Sequence, residues 1–112
     1  MQIKALDDAI ARYETVEKLP KGSLMALTEL REHINGFSEP SDLGKNIHEV
    51  HIEVGGMIGG FSIHFQLTVD FANKWRYELC DLLSKMIGVT FRRVGSYYLT
   101  THWRNGIEIV LN

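Results

Sequence analysis

The chain has little of what staples or anchors a small protein. It contains one cysteine, Cys80, and two prolines, Pro20 and Pro40. A single thiol excludes an intramolecular disulfide, and nothing in it argues for an oxidising compartment. No apolar run approaches the roughly 18 residues that cross a bilayer. The opening Met1-Gln2-Ile3-Lys4 leads into an amphipathic pattern rather than the apolar stretch of an export signal. The expectation is a cytoplasmic protein with no membrane partner. Internal repeats, low-complexity tracts and dividing linkers are also missing, so the 112 residues read as one domain. A chain of this length buries roughly two-thirds of its unfolded surface, so it needs neither disulfide nor metal to fold.

Signatures of catalysis are equally scarce. G-x-S-x-G, H-E-x-x-H and C-x-x-C do not occur. The carboxylates are scattered, and no two pair across an evident cleft. Cys80 sits mid-helix among leucines and beside Asp81, away from the helix N-terminus or cation that holds a thiolate. It reads as a small packed side chain. Four glycines surround Met57-Ile58 and suggest a phosphate cradle, but the G-x-G-x-x-G order is absent and no Lys-Ser/Thr follows. A strand pattern comes next, whereas a phosphate loop needs a helix N-terminus. No enzymatic activity, cofactor or metal is expected.

What the chain does have is uneven charge. Residues 1–56 carry ten acids and six bases, a net of −4, whereas residues 57–112 carry four acids and six bases, a net of +2. No acid falls between Asp81 and Glu108, a stretch that includes Lys85, Arg92, Arg93 and Arg104. Such a dipolar distribution steers a charged partner.

The hydrophobic spacing gives the architecture. Ile3, Leu6, Ile10, Tyr13 and Val16 recur at helical spacing and predict a helix over 3–18, stopped by Pro20 and Gly22. Ser23 is placed to cap a second helix, with Leu24, Leu27, Leu30 and Ile34 on its buried face and Asn35-Gly36 ending it through a left-handed residue. Residues 37–46 read as loop. The period then changes to two. His48, Val50, Ile52 and Val54 alternate with Ile47, Glu49, His51 and Glu53, and Phe61 to Val69 alternate likewise. A turn centred on Met57-Ile58 makes Val54 face Phe61, Ile52 face Ile63 and Val50 face Phe65. Asp70 is the expected cap of a third helix over 71–87, with Phe71, Trp75, Leu79, Leu82 and Met86 on one side and Gly88 as its stop. Three strands follow, over 89–94, 97–103 and 107–111. Gly95-Ser96 turns between the first two, and Arg104-Asn105-Gly106 forms a three-residue hairpin loop between the last two. The fold class is α+β: two helices, a hairpin, a central helix and a three-stranded antiparallel meander. The helices cover one face of a mainly antiparallel sheet, and the other face is left polar and open.

Two functional readings come from different classes. The first is a small non-catalytic protein-binding module, such as an inhibitor, an immunity protein or an anti-defence factor. Its candidate contacts are the apolar tip Met57 and Ile58, the acidic helix residues Glu29 and Glu32, and the polar-face residues His51, His64 and Tyr98. The alternative is a nucleic-acid-binding regulator using Arg92, Arg93, Arg104, Tyr98 and His102, because flat rings stack bases and cations meet phosphates. An overall pI near 6.2 argues against it. The predicted register opposes His51 and His64, close enough to share a metal with Glu53 or Glu49. The plainer reading of that pair is two solvated histidines on an exposed strand. His48 is placed on the apolar face as a boundary residue, and strand 107–111 as an edge able to pair with a second copy.

Overall fold

The computed structural model describes residues 2–37, 43–55, 60–95 and 98–112, and for residues 43, 69–75 and 105 the backbone only. The elements are α1 (Lys4–Tyr13), α2 (Ser23–Asn35), β1 (Ile47–Val54), β2 (Phe61–Leu67), α3 (Val69–Ile87), β3 (Arg92–Val94), β4 (Tyr98–Trp103) and β5 (Ile107–Leu111), with short 3-10 turns at Leu43–Asn46 and Arg104–Gly106. They form an α+β fold with the helices on one side of a five-stranded sheet ordered β1-β2-β5-β4-β3.

The alternation of apolar side chains sets the pairing. Val50 faces Phe65, Ile52 faces Ile63, and Val54 faces Phe61, the register that the hairpin arithmetic predicts. Leu99 faces Leu111, Thr101 faces Ile109, and Trp103 faces Ile107, also as predicted. Gly106 holds a left-handed φ of 75°, which closes the Arg104–Gly106 turn without a Cβ clash. The predicted hairpin and meander are joined by β2 and β5, which run parallel with Ser62 opposite Glu108 and His64 opposite Val110. Asn112 extends this ladder by donating to Phe65 O and accepting from Leu67 N. That placement corrects the expectation for strand 107–111. It lies inside the sheet, hydrogen-bonded on both sides, and has no free edge for a second copy.

The two true edges are protected in different ways. On β1, Arg12 of α1 donates to Val50 O at 3.0 Å, and Ile52 N donates to Tyr13 Oη at 3.0 Å. Side chains of a helix thus occupy groups that would otherwise template another strand. On the far side, β3 is only three residues long and carries Arg92 and Arg93.

One hydrophobic cluster lies between sheet and helices. It takes Leu6, Ala9 and Ile10 from α1, Leu27, Leu30 and Ile34 from α2, and Leu79, Leu83 and Met86 from α3, packed on Val50, Ile63, Phe65, Leu99, Ile109 and Leu111. Cys80 is buried within it, as expected, and burial pushes its thiol pKa up.

Several local expectations are corrected. α1 ends at Tyr13 rather than near residue 18, which leaves Val16 44% exposed. There Val16 N bonds Tyr13 O and the Thr15 hydroxyl donates to Arg12 O, so local bonds replace helical ones. Gly22, at a left-handed φ of 82°, occupies the N-cap position of α2. Ser23 is instead the first helical residue, with its hydroxyl buried and without a hydrogen-bond partner. Gly36 ends α2 in right-handed geometry, φ −72°, because Gly36 N still bonds Glu32 O. α3 begins at Val69 with Thr68 as its cap, placing Asp70 inside the first turn, and it ends before Gly88. A bulge between Ile47 and Glu49 shifts the alternation, so Ile47 is buried, while His48 is exposed beside Ala5, Asp8 and Arg12 of α1. Val54 reaches beyond the helix layer and is 74% exposed. The glycine turn with Met57 and Ile58 lies outside the described residues, as do Ser96, Tyr97, residues 38–42 of the expected loop and the side chains of Phe71 and Trp75.

Candidate functional site

The face of the sheet away from the helices carries the polar half of each alternating strand. Glu49, His51 and Glu53 come from β1, and Ser62, His64 and Gln66 from β2. Glu108 and Val110 come from β5, and Tyr98, Thr100 and His102 from β4. No described element covers it. The face is not flat and bare, however. Its middle is buried, with Val110 4% and Thr100 1% exposed. The result is a groove of about 850 Å³ running from Glu53, Val54 and Phe61 across Ser62, His64 and Glu108 to Tyr98 and His102.

At one end of this groove lies a compact hydrogen-bonded group. Period-two geometry and the in-register pairing of His51 with His64 put both imidazoles side by side, their centroids 5.0 Å apart and their planes 14° from parallel. Glu53, two residues along β1 on the same face, reaches both rings. His51 Nε2 is 3.1 Å from Oε1 and His64 Nε2 is 3.2 Å from Oε2. Ser62 Oγ is 2.8 Å from His64 Nε2, and Glu49 Oε2 is 3.8 Å from His51 Nδ1. That Nδ1 is buried and has no hydrogen bond. Farther along the groove, Thr100 donates to Glu108 Oε2 at 3.1 Å.

The electrostatics follow from this geometry. Burial pushes the His64 pKa below its usual 6.5, opposed by the charge of Glu53. The hydrogen bond from His51 holds Glu53 below its usual 4.5. Near neutral pH a neutral imidazole at His64 therefore stands beside an ionised carboxylate. The pair is not the solvated one read from the sequence, since the side chains of His51 and His64 are only 26% and 16% exposed. His51, Glu53 and His64 offer ligand atoms that all lie within 4.8 Å of one another.

The remaining candidates fall on several surfaces. Tyr98 and His102 share the groove with His64. Arg92 is opposite Thr100 and joins their face, whereas Arg93 is opposite Leu99 and belongs to the other. Arg93 turns back to bond Gly95 O at 3.0 Å. Arg104 lies over α2, 3.4 Å from Glu29 and 3.0 Å from His33 Nε2. The basic set expected for nucleic acid is thus divided, with Arg104 already engaged. Glu29 and Glu32 lie on α2, in the helix layer, and cannot share one flat contact with His51 and His64. Ser62, Thr100 and Glu108 were not singled out from the sequence. Their one signal was alternation, which places Glu108 outward on β5 and Ser62 outward on β2.

Comparison with protein families, with curated proteins and with solved structures finds no match to this chain. Among the described residues, no helix is long and apolar enough to cross a membrane.

Proposed function

We propose that the protein is a small non-catalytic binding module that holds a protein partner against the open face of its sheet, as an inhibitor or immunity factor does. The observation that carries this reading is the groove of about 850 Å³ on a face that no described element covers. Its lining mixes the carboxylates of Glu53 and Glu108 with the half-buried rings of Tyr98 and His64. Carboxylates beside half-buried rings suit a basic segment that also presents apolar carbon, such as lysine or arginine stems. Protection of both sheet edges leaves side chains rather than backbone to make the contact. A buried, protonated Cys80 thiol fits a reducing, cytoplasmic setting.

The test is affinity capture with mass spectrometry, using the wild-type chain and Glu108→Lys, each checked for fold by circular dichroism. A protein partner retained by wild type and lost by the variant supports the reading. Equal capture by both chains, or recovery of nucleic acid alone, overturns it. The second outcome would favour a nucleic-acid regulator working through Arg92, Tyr98 and His102.

A further inference from the structure

The group at the end of the groove has the composition and spacing of a metal centre as well as of a hydrogen-bonded cluster. We propose that His51, Glu53 and His64 bind one divalent transition-metal ion of the zinc type, with a solvent molecule completing the shell on the groove side. Two imidazoles and one carboxylate are a three-donor set that leaves one position open. Imidazole donors favour zinc and its transition-metal neighbours over magnesium and calcium, which prefer oxygen alone.

The distances agree. In a tetrahedral shell with bonds of about 2.0–2.1 Å, neighbouring donor atoms are separated by about 3.3 Å. His51 Nε2 lies 3.1 Å from Glu53 Oε1 and His64 Nε2 lies 3.2 Å from Oε2, and one ligand atom from each residue falls within 4.8 Å of the others, so a short contraction onto one carboxylate oxygen reaches that edge. The donors come from two strands locked in register, with His51 opposite His64 and Glu53 opposite Ser62, so the backbone already holds the set together. Loading the ion tilts the two rings out of their near-parallel stack, so that both Nε2 lone pairs converge on it. Glu53 then exchanges two hydrogen bonds for a coordinate bond.

A second observation points the same way. His51 Nδ1 is buried and makes no hydrogen bond, although Glu49 Oε2 is 3.8 Å away. Histidine ligands regularly present their other ring nitrogen to a carboxylate, which fixes the tautomer and orients the ring. An ion on Nε2 places the proton on Nδ1, and Glu49 becomes its acceptor. The atom left without a partner in the free protein acquires one in the loaded protein. Ser62 Oγ, 2.8 Å from His64 Nε2 and lining the groove, is placed to hydrogen-bond the solvent ligand.

The test uses the full chain, without a polyhistidine tag and stripped with chelator, titrated with Co²⁺ and followed by visible absorption. The expected result is saturation at one equivalent with the spectrum of a four-coordinate ion, reversal by Zn²⁺, and no reversal by excess Mg²⁺ or Ca²⁺. His51→Ala and Glu53→Gln should abolish saturation. Glu49→Gln should weaken affinity by about 10-fold to 100-fold, the effect of losing an outer-shell partner. His48→Ala and His102→Ala should bind as wild type does. The proposal is overturned if no one-equivalent saturation occurs, if His51→Ala binds as tightly as wild type, or if Mg²⁺ competes equally. Glu53 is 57% exposed, so Glu53→Gln keeps the test decisive even where a histidine variant fails to fold. None of these readouts depends on a protein partner, so the metal site and the binding reading fail separately.

Discussion

The two faces of β2 differ in burial and in chemistry. Ile63 and Phe65 point toward the helices and are 0% and 1% exposed. Between and beside them, Ser62, His64 and Gln66 point into or around the groove. One strand of seven residues therefore serves two purposes, separated by a single step in sequence. The helix side is held by non-directional apolar burial. The groove side is held by directional bonds among a few polar groups. The contrast teaches that stability and chemistry are divided here by the pleat of the sheet, so substitutions one residue apart should have unlike consequences.

The largest expected effect lies on the helix side. Phe65→Ala removes a fully buried ring and should cost about 3–5 kcal/mol, whereas the neighbouring Gln66→Ala should stay within about 0.5 kcal/mol. Urea unfolding of the two variants measures the difference. Similar losses in both would break the division between the faces.

A smaller effect is expected at the guarded edge. Tyr13→Phe deletes the hydroxyl that accepts from Ile52 N. Leaving a partly buried backbone donor without its partner should cost about 1–3 kcal/mol. The opened β1 edge should also raise self-association, read by sedimentation at increasing concentration. An unchanged unfolding midpoint and an unchanged monomer would show that α1 does not guard this edge.

The smallest effect is one of pH, and it belongs to the groove side alone. Burial lowers the folded-state pKa of His64 below 6.5, with Glu53, His51 and Glu108 as the charged groups around it. Between that lowered value and 6.5 the unfolded chain binds the extra proton, so stability rises with pH across this window. The contribution is complete above 6.5 and is lost as the pH falls toward the folded-state value. Glu53, also lowered, adds a second loss at more acid pH, below its usual 4.5. With chelator present, the melting temperature of wild type should decline from pH 7 to pH 5, and His64→Gln should flatten that decline. An equal decline in both chains would place the titration elsewhere.

What was legible in the sequence was what is local. Side chains that alternate every second residue, with a turn of known length, determine cross-strand partners by counting. That is how His51 was placed opposite His64 and Trp103 opposite Ile107. The Gly106 turn was legible for the same reason. The parallel pairing of β2 with β5 was not, because its partners are separated by α3, β3 and β4 and no periodicity connects them. Ser62 and Glu108 meet only through that pairing, so the groove was not visible as a groove. The bulge at Ile47/Glu49 was missed because one extra residue in a strand leaves no mark on composition, so the burial of Ile47 was not anticipated. The early end of α1 reflects local bonding by Thr15 and Val16 that a stripe of apolar residues does not report.

The division between the faces is tested most directly by removing the polar one as a unit. A chain carrying Glu53→Gln, Ser62→Ala, His64→Gln and Glu108→Gln keeps every side chain on the helix side. Its unfolding in urea should remain a single cooperative transition, while capture of a partner and saturable Co²⁺ binding are both lost. A chain that no longer unfolds cooperatively, or that still binds both, would contradict the account.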